Sequence, residues 1–321
     1  MATDARDWVV STAEGIRAVL SDDRFAVPQA PGGAAAGTLA WLRSAACRFS
    51  NGPEHDRRRA VVTAELGRLD TATLTDAAWE LTIAVLAGLA GPAQGGQLEV
   101  MGPVARRVPV FVLATQLGAA DPGRAADAVQ AIGGSYLTGA AADPAAADAA
   151  TRVLLALLAQ PAGGSAQPSG GSAQPGTDAD IAVARATILL QSYDATAGLI
   201  GNALALLPDL PADTPTTDLL AQAVLHRPPV RAMRRVALAV AELGGEQVSG
   251  GDTVICDIDG AEDALTFGYG LRPCPAQPHA LALAQGVIDA VRERCDIPAG
   301  QGDLEPVKPL RVPASLTVVL R

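Results

Sequence analysis

Residues Phe267-Gly268-Tyr269-Gly270-Leu271-Arg272-Pro273-Cys274 constrain this chain more than any other segment, because they stand directly before an apolar run rich in Ala and Leu. Glycine at alternate positions lets the backbone turn tightly beneath a flat group, since glycine enters positive φ without strain. The cysteine then falls at a helix start, where unpaired amides and the helix dipole favour a thiolate over a thiol. A thiolate presented in this way suits the axial position of a heme iron, which gains a strong electron donor. Cys47, Cys256 and Cys295 have no such setting and form no CxxC pair, so they read as ordinary buried thiols in a reducing, cytoplasmic environment.

Around this loop the chain reads as mostly helical. Apolar residues recur at intervals of three and four in Thr71 to Ala90, Ala182 to Leu207 and His279 to Val291, which predicts helices there. The best strand candidates are short: Trp8 to Val10, Thr253 to Cys256 and Leu316 to Leu320. This balance predicts a mostly α fold with small edge sheets, as a single domain over residues 1–321. The segment Gln160 to Gly176 repeats GGSAQP and offers little that can pack, so a flexible surface loop is expected over about residues 160–178. The runs LTIAVLAGLAG and VPVFVLATQLGAA fall short of the roughly 20 residues that cross a bilayer and read as buried helices. The N-terminus, MATDARDWVV, carries acidic residues where an export signal needs a basic start. A net charge of -10, from 24 Lys plus Arg against 34 Asp plus Glu, disfavours nucleic acid and anionic membranes and leaves a small or neutral partner.

The loop FGYGLRPC resembles the heme-binding loop of the cytochrome P450 family, whose pattern runs F-G-x-G-x, then His or Arg, then x-C-x-G. Only the trailing glycine departs, being Ala276. Further segments resemble the family in the family's own order: WVVSTAEGIRAVLSDDRF, NGPEHDRRRAVV, VPVFVLATQLGAADPGRA, LLQSYDATAGLIGNAL, HRPPVRAMRRVA with ELGGEQVSGGDTV, and PASLTVVL. The resemblance implies a P450-like helical fold, reduced at the N-terminus, which looks like the family's second strand, and before the loop, where GAEDA stands for a long meander. It implies heme b, with Cys274 on the iron and Phe267, Gly268, Gly270 and Ala276 forming the loop beneath the ring. It also implies that His55, Arg59, Arg235 and Arg272 hold the heme propionates. His55 and Arg59 are four apart, which puts both on one helical face. Several donors for two propionates make physical sense, because a buried carboxylate left unpaired is costly.

Some of the family pattern is absent. Its E-x-x-R signature falls on Gln222-Ala223-Val224-Leu225, with neither charge, and losing both ends of one ion network strands no charge. In Gln191-Ser192-Tyr193-Asp194-Ala195-Thr196 the family has A-G-x, an acid and two threonines, the first alcohol helping to protonate dioxygen. Asp194 keeps the acid, Ala195 replaces the first alcohol and Thr196 matches the second. Gln191 and Ser192 occupy positions that usually open a groove, and either reach toward a substrate or hydrogen-bond within the helix. His279 reads as the start of the helix after the cysteine, and His226 has no motif around it. No G-x-G-x-x-G follows a strand and opens a helix, so electrons are expected from a ferredoxin-type partner or from peroxide. The resemblance implies a monooxygenase acting on a small or carrier-bound intermediate of specialised-metabolite biosynthesis. Its alternatives are a heme-dependent isomerase, dehydratase or peroxygenase, and a non-catalytic helper like the family proteins that activate glycosyltransferases.

Overall fold

Cap residues and prolines divide the chain into its elements. The computed structural model describes residues 5–89, 96–159, 176–300 and 309–321, so most of the GGSAQP repeat segment lies outside the described residues. Strand β1 (Asp7–Val10) leads into α1 (Ala13–Ser21), where the Thr12 side chain accepts from the Gly15 amide, and β2 (Phe25–Ala26) follows. Helix α2 (Leu39–Ala45) and a 3-10 turn (Cys47–Phe49) lead to α3 (Gly52–Leu66), which has Pro53 in its first turn. Next come α4 (Thr71–Leu89), β3 (Gln97–Glu99), a π-helical turn (Met101–Arg106) and α5 (Arg107–Gln116). Helices α6 (Pro122–Thr138) and α7 (Pro144–Leu158) each start at an aspartate cap followed by proline.

The long helix α8 (Asp178–Leu206) opens with a capping box between Thr177 and Asp180. Helix α9 (Thr216–His226) precedes β4 (Ala232–Ala237), β5 (Ala241–Leu243), β6 (Glu246–Val248) and β7 (Thr253–Asp257). Helix α10 (Gln277–Arg294), β8 (Cys295–Asp296) and β9 (Thr317–Leu320) complete the described chain.

The strands form small sheets, as expected. One has the order β1-β7-β4-β2, with β1 parallel to β7 and Asp7 opposite Thr253. Another has the order β3-β9-β8, and β5 pairs with β6 alone. Two cores result. The larger lies among the helices and includes Leu42, Val61, Tyr136, Leu189 and Val287. The smaller, with Ile16, Phe25, Val248 and Val254, fills the space beside the four-stranded sheet.

Helix α4 is longer than its apolar run alone suggested. At 19 residues it is the one described helix long and apolar enough to cross a bilayer, and it is not the buried helix expected of its apolar run: only the stripe Leu74, Ala78, Thr82 and Leu86 is buried, along the side that packs on α10. The two helices meet at Gly286, where a Cβ would overlap the carbonyl oxygen of Thr75. Only glycine permits that approach.

Where the E-x-x-R charges are missing, α9 presents Leu219, Leu220, Ala223 and Val224 to the core instead. Ionic ties stand elsewhere. Asp259 accepts from Arg231 Nε at 3.0 Å and from Arg311 Nη2 at 2.9 Å, joining the start of β4 to the C-terminal segment. Between α3 and α8, Arg185 Nε donates to Glu65 Oε2 at 2.6 Å, with both side chains almost wholly buried.

That buried pair predicts an asymmetric stability response. Arg185→Met alone leaves Glu65 buried with a partial complement of donors and should cost about 3–5 kcal/mol, read from the denaturant midpoint. The double change Arg185→Met, Glu65→Leu should recover most of the loss, since no charge is then stranded.

Candidate heme-thiolate site

The glycine-rich loop folds as its sequence requires. Gly268 (φ 76°) and Gly270 (φ 64°) are both left-handed, a region that side chains rarely enter. A Cβ at Gly270 would come within 2.8 Å of the Leu20 carbonyl oxygen, so the loop lies directly on the end of α1. The Leu271 amide donates to that same oxygen at 3.2 Å, and the Cys274 amide donates to Phe267 at 2.7 Å, closing the turn. Helix α10 begins with Ala276 as its cap residue and no side-chain cap. The backbone amides of Ala276 and Gln277, at this open helix start, draw the Cys274 thiol pKa downward instead.

The charge balance at the sulfur corrects one expectation. Burial pushes the Cys274 thiol up, against the downward pull of those amides and of Arg59 and Arg48. The helix start therefore does not by itself make Cys274 a thiolate. An adjacent cation is needed to tip the balance. Burial likewise pushes up Cys47 and Cys295, and Cys256 rises to about 11.

Around the loop the structure gathers the predicted basic residues. Arg272 donates from Nε to His55 Nε2 at 3.1 Å, from Nη1 to Asn51 Oδ1 at 3.1 Å, and from Nη2 to the Ser50 carbonyl at 2.6 Å and the Cys47 carbonyl at 3.4 Å. Arg59, one turn along α3 from His55, donates to the Pro273 carbonyl at 2.8 Å. Arg235, on β4, is buried and donates to the carbonyl of Arg234 at 3.0 Å. Burial, with Arg235 and Arg59 adding repulsion, lowers Arg272 to about 10. Among the described residues none of Arg59, Arg235 and Arg272 has a carboxylate partner, so this cluster carries surplus positive charge.

The α8 residues divide. Asp194 and Thr196 are buried, and Ala195 is half-buried. Asp194 Oδ1 accepts from Arg106 Nε at 3.2 Å, and the Arg106 guanidinium lies 5.9 Å from the Tyr193 ring. Gln191 donates to the Thr187 carbonyl at 3.2 Å and Ser192 to the Leu189 carbonyl at 2.8 Å, so of the two roles left open by the sequence, the structure gives the one within the helix. A cavity of about 340 Å3 lies against Tyr193, lined also by Pro103, Arg106, Arg107 and Gln130, and includes no residue of the cysteine loop. His279 sits in the first turn of α10, its Nε2 3.0 Å from the Leu66 carbonyl.

Sequence reasoning missed Arg106 and Asn51. Asn51 belonged to a segment already singled out, NGPEHDRRR, but nothing in the pattern marked its amide as a partner for Arg272. Arg106 comes from the π-helical turn, and no local signal links it to a residue 88 positions later.

No protein-family model and no curated protein matches the chain. Its architecture does match solved structures. CREJ in complex with (4-ethylphenyl) dihydrogen phosphate gives a TM-score of 0.77 at 19% identity, covering 100% of this chain and 94% of that one. The chain has the cytochrome P450 fold. CalO2 gives 0.76 at 20% identity, covering 100% of this chain and 92% of that one. P450BioI, in complex with an acyl carrier protein ligated to hexadec-9Z-enoic acid, gives 0.76 at 18% identity over 98% of this chain and 92% of that one. Within this P450 fold, α3, β4 and the loop before α10 bring His55, Arg59, Arg235, Arg272 and Cys274 together, while Asp194, Ala195 and Thr196 stand on α8.

The His55 contact predicts a pH dependence. Its Nε2 accepts from Arg272, so its proton lies on Nδ1, 3.0 Å from Asp56 Oδ1. Burial and the Arg272 charge hold its pKa below 6.5. The unfolded chain thus binds the extra proton first, and the His55 contribution to stability, complete above pH 6.5, falls as pH drops through the lower folded value. Denaturant midpoints at pH 7.5 and 5 should differ less in His55→Gln than in the unaltered protein.

Proposed function

We propose that the protein is a heme-thiolate oxidoreductase of the monooxygenase type, acting on a small or carrier-bound intermediate of specialised biosynthesis. One observation carries this reading: Cys274 stands at the head of α10 beside three arginines that have no carboxylate partner among the described residues. Heme b is a chemical match for that donor set, since its propionates supply the missing anionic charge and its iron the cation that the buried sulfur needs. His55, Arg59, Arg235 and Arg272 would hold the propionates, Cys274 the iron, and Phe267, Gly268, Gly270 and Ala276 would form the loop beneath. When bound, heme supplies one-electron chemistry with dioxygen or peroxide.

The protein's own residues then set orientation and proton supply. The Ala276 and Gln277 amides would moderate the charge on the sulfur. On α8, the Asp194 carboxylate is held by Arg106 at its Oδ1, and the next side chain, Ala195, is a methyl group with no proton to pass. Thr196 carries the nearest hydroxyl downstream, while the Ser192 hydroxyl is committed to the Leu189 carbonyl. This arrangement favours a second reading, in which the enzyme uses peroxide or catalyses an isomerisation or dehydration with no oxidant. The closed, intact loop argues against a non-catalytic helper role. The P450BioI complex with an acyl carrier protein supports a carrier-bound substrate. Electrons would come from a ferredoxin-type protein, and the free thiols suit a reducing cytoplasm.

Replacing Cys274 with Ala should abolish the strongly red-shifted ferrous-carbonyl absorption band while Cys47→Ala, Cys256→Ala and Cys295→Ala retain it. Single alanine changes at His55, Arg59, Arg235 and Arg272 should each speed heme transfer to an acceptor protein, with about 1.5–3 kcal/mol lost per charge-assisted contact. Ala195→Thr should raise the product formed per electron consumed, measured as reductant use against product, because it restores a hydroxyl beside Asp194.

A further inference from the structure

A second pair of donors lies near the arginine cluster and has no use in the reading above. Tyr136, on α6, is fully buried, and its hydroxyl has no hydrogen-bond partner within the protein. Arg43, on α2, has a buried Nη1 in the same condition. Both lie against one ring: the Arg43 guanidinium is 4.6 Å from the Phe49 centroid, and the Tyr136 ring meets Phe49 edge-on at 5.6 Å. Gly139, the left-handed C-cap of α6 (φ 78°), makes room for the guanidinium, since a Cβ there would overlap Arg43 Nη1. Among the described residues Arg43 has no acidic partner.

Such an arrangement does not serve stability. A buried donor left unpaired costs about 1–3 kcal/mol, and more when it is charged. Burial lowers the Arg43 pKa and pushes the Tyr136 phenol up, so at neutral pH one remains a cation and the other an O–H donor.

The position is informative too. Tyr136 follows by one helical turn Gly133, where a Cβ would come within 2.6 Å of the Tyr193 ring on α8. Phe49 closes the same 3-10 turn whose Cys47 carbonyl accepts from Arg272. The pair thus sits between the Asp194 turn of α8 and the turn that steadies the Cys274 loop.

We propose that Arg43 and Tyr136 bind the carboxylate of a small organic acid, whose apolar body lies against Phe49 and extends toward α8. A guanidinium N–H and a phenol O–H supply one donor for each carboxylate oxygen. One positive charge, with its Nη1 donor buried, matches a monoanion, whereas a phosphate monoester dianion would leave negative charge uncompensated. That this acid is the substrate rests on the heme-thiolate reading. The binding itself does not.

The test titrates decanoate and decanamide, equal in length and different in charge, into the purified full-length protein by calorimetry, with heme content followed by absorbance. Decanoate should bind, and decanamide should bind at least tenfold more weakly. Arg43→Gln should weaken decanoate about tenfold and Tyr136→Phe about threefold. Tyr136→Phe should leave the unfolding midpoint of the ligand-free protein unchanged or raised, because it removes only an unpaired hydroxyl. No preference for decanoate over decanamide, unaltered decanoate affinity in both variants, a lowered midpoint in Tyr136→Phe, or tighter binding of decyl phosphate would each overturn the inference. Heme content separates the two readings. If Arg43→Gln loses heme as readily as Arg272→Ala, Arg43 belongs to the propionates and the inference fails. If the unaltered protein takes up no heme yet binds decanoate through these residues, the inference stands and the heme reading falls.

Discussion

The Arg272 guanidinium ties the loop that carries Cys274 to the turn ahead of α3, and the geometry of the site depends on that tie. Its partners are an imidazole, a side-chain amide and two backbone carbonyls, all neutral. A carboxylate in that position would have held the loop equally well. It would also have cancelled the charge. With neutral partners the guanidinium is held in place while its positive field extends to Arg235, Arg59 and the Cys47 thiol. The same residue therefore fixes the loop and keeps the site electropositive.

Buried charge is treated in two ways in this protein. Arg185 and Glu65 face each other across α3 and α8 and satisfy one another, so they behave as part of the core. The half-exposed Arg43 and the fully buried Tyr136 differ from that pair: Arg43 Nη1 and the Tyr136 hydroxyl are both buried with no hydrogen-bond partner. The first arrangement costs little as long as both members remain. The second carries a standing penalty, and stored cost of this kind is characteristic of places where a protein meets something other than itself.

Much of this was legible in the sequence because it is local. Helix periods in Thr71 to Ala90 and Ala182 to Leu207 became α4 and α8, and the strand at Thr253 became β7 with nearly the expected limits. The left-handed Gly268 and Gly270 follow from the alternate glycines alone. What was not legible depends on distance or on balance. The Arg106–Asp194 pair joins a π-helical turn to a helix far along the chain, and no period encodes it. Whether Gln191 and Ser192 turn inward to their own helix depends on rotamers. The direction of the Cys274 shift depends on burial, which sets a large opposing contribution against the amides that the sequence did reveal.

The glycine at the crossing of α4 and α10 reaches further than its own contact. Gly286 sits on the Thr75 carbonyl with no room for a methyl group, and the helix it belongs to begins three residues after the cysteine. A helix is stiff along its axis, so the separation set at that crossing is transmitted along its length to Ala276 and Gln277, next to the cysteine in the chain. The height of Cys274 above its surroundings is thus governed by a side chain consisting of a single hydrogen atom, three turns away. An alanine at Gly286 would act as a wedge, tilting the whole lever and moving the sulfur without touching it.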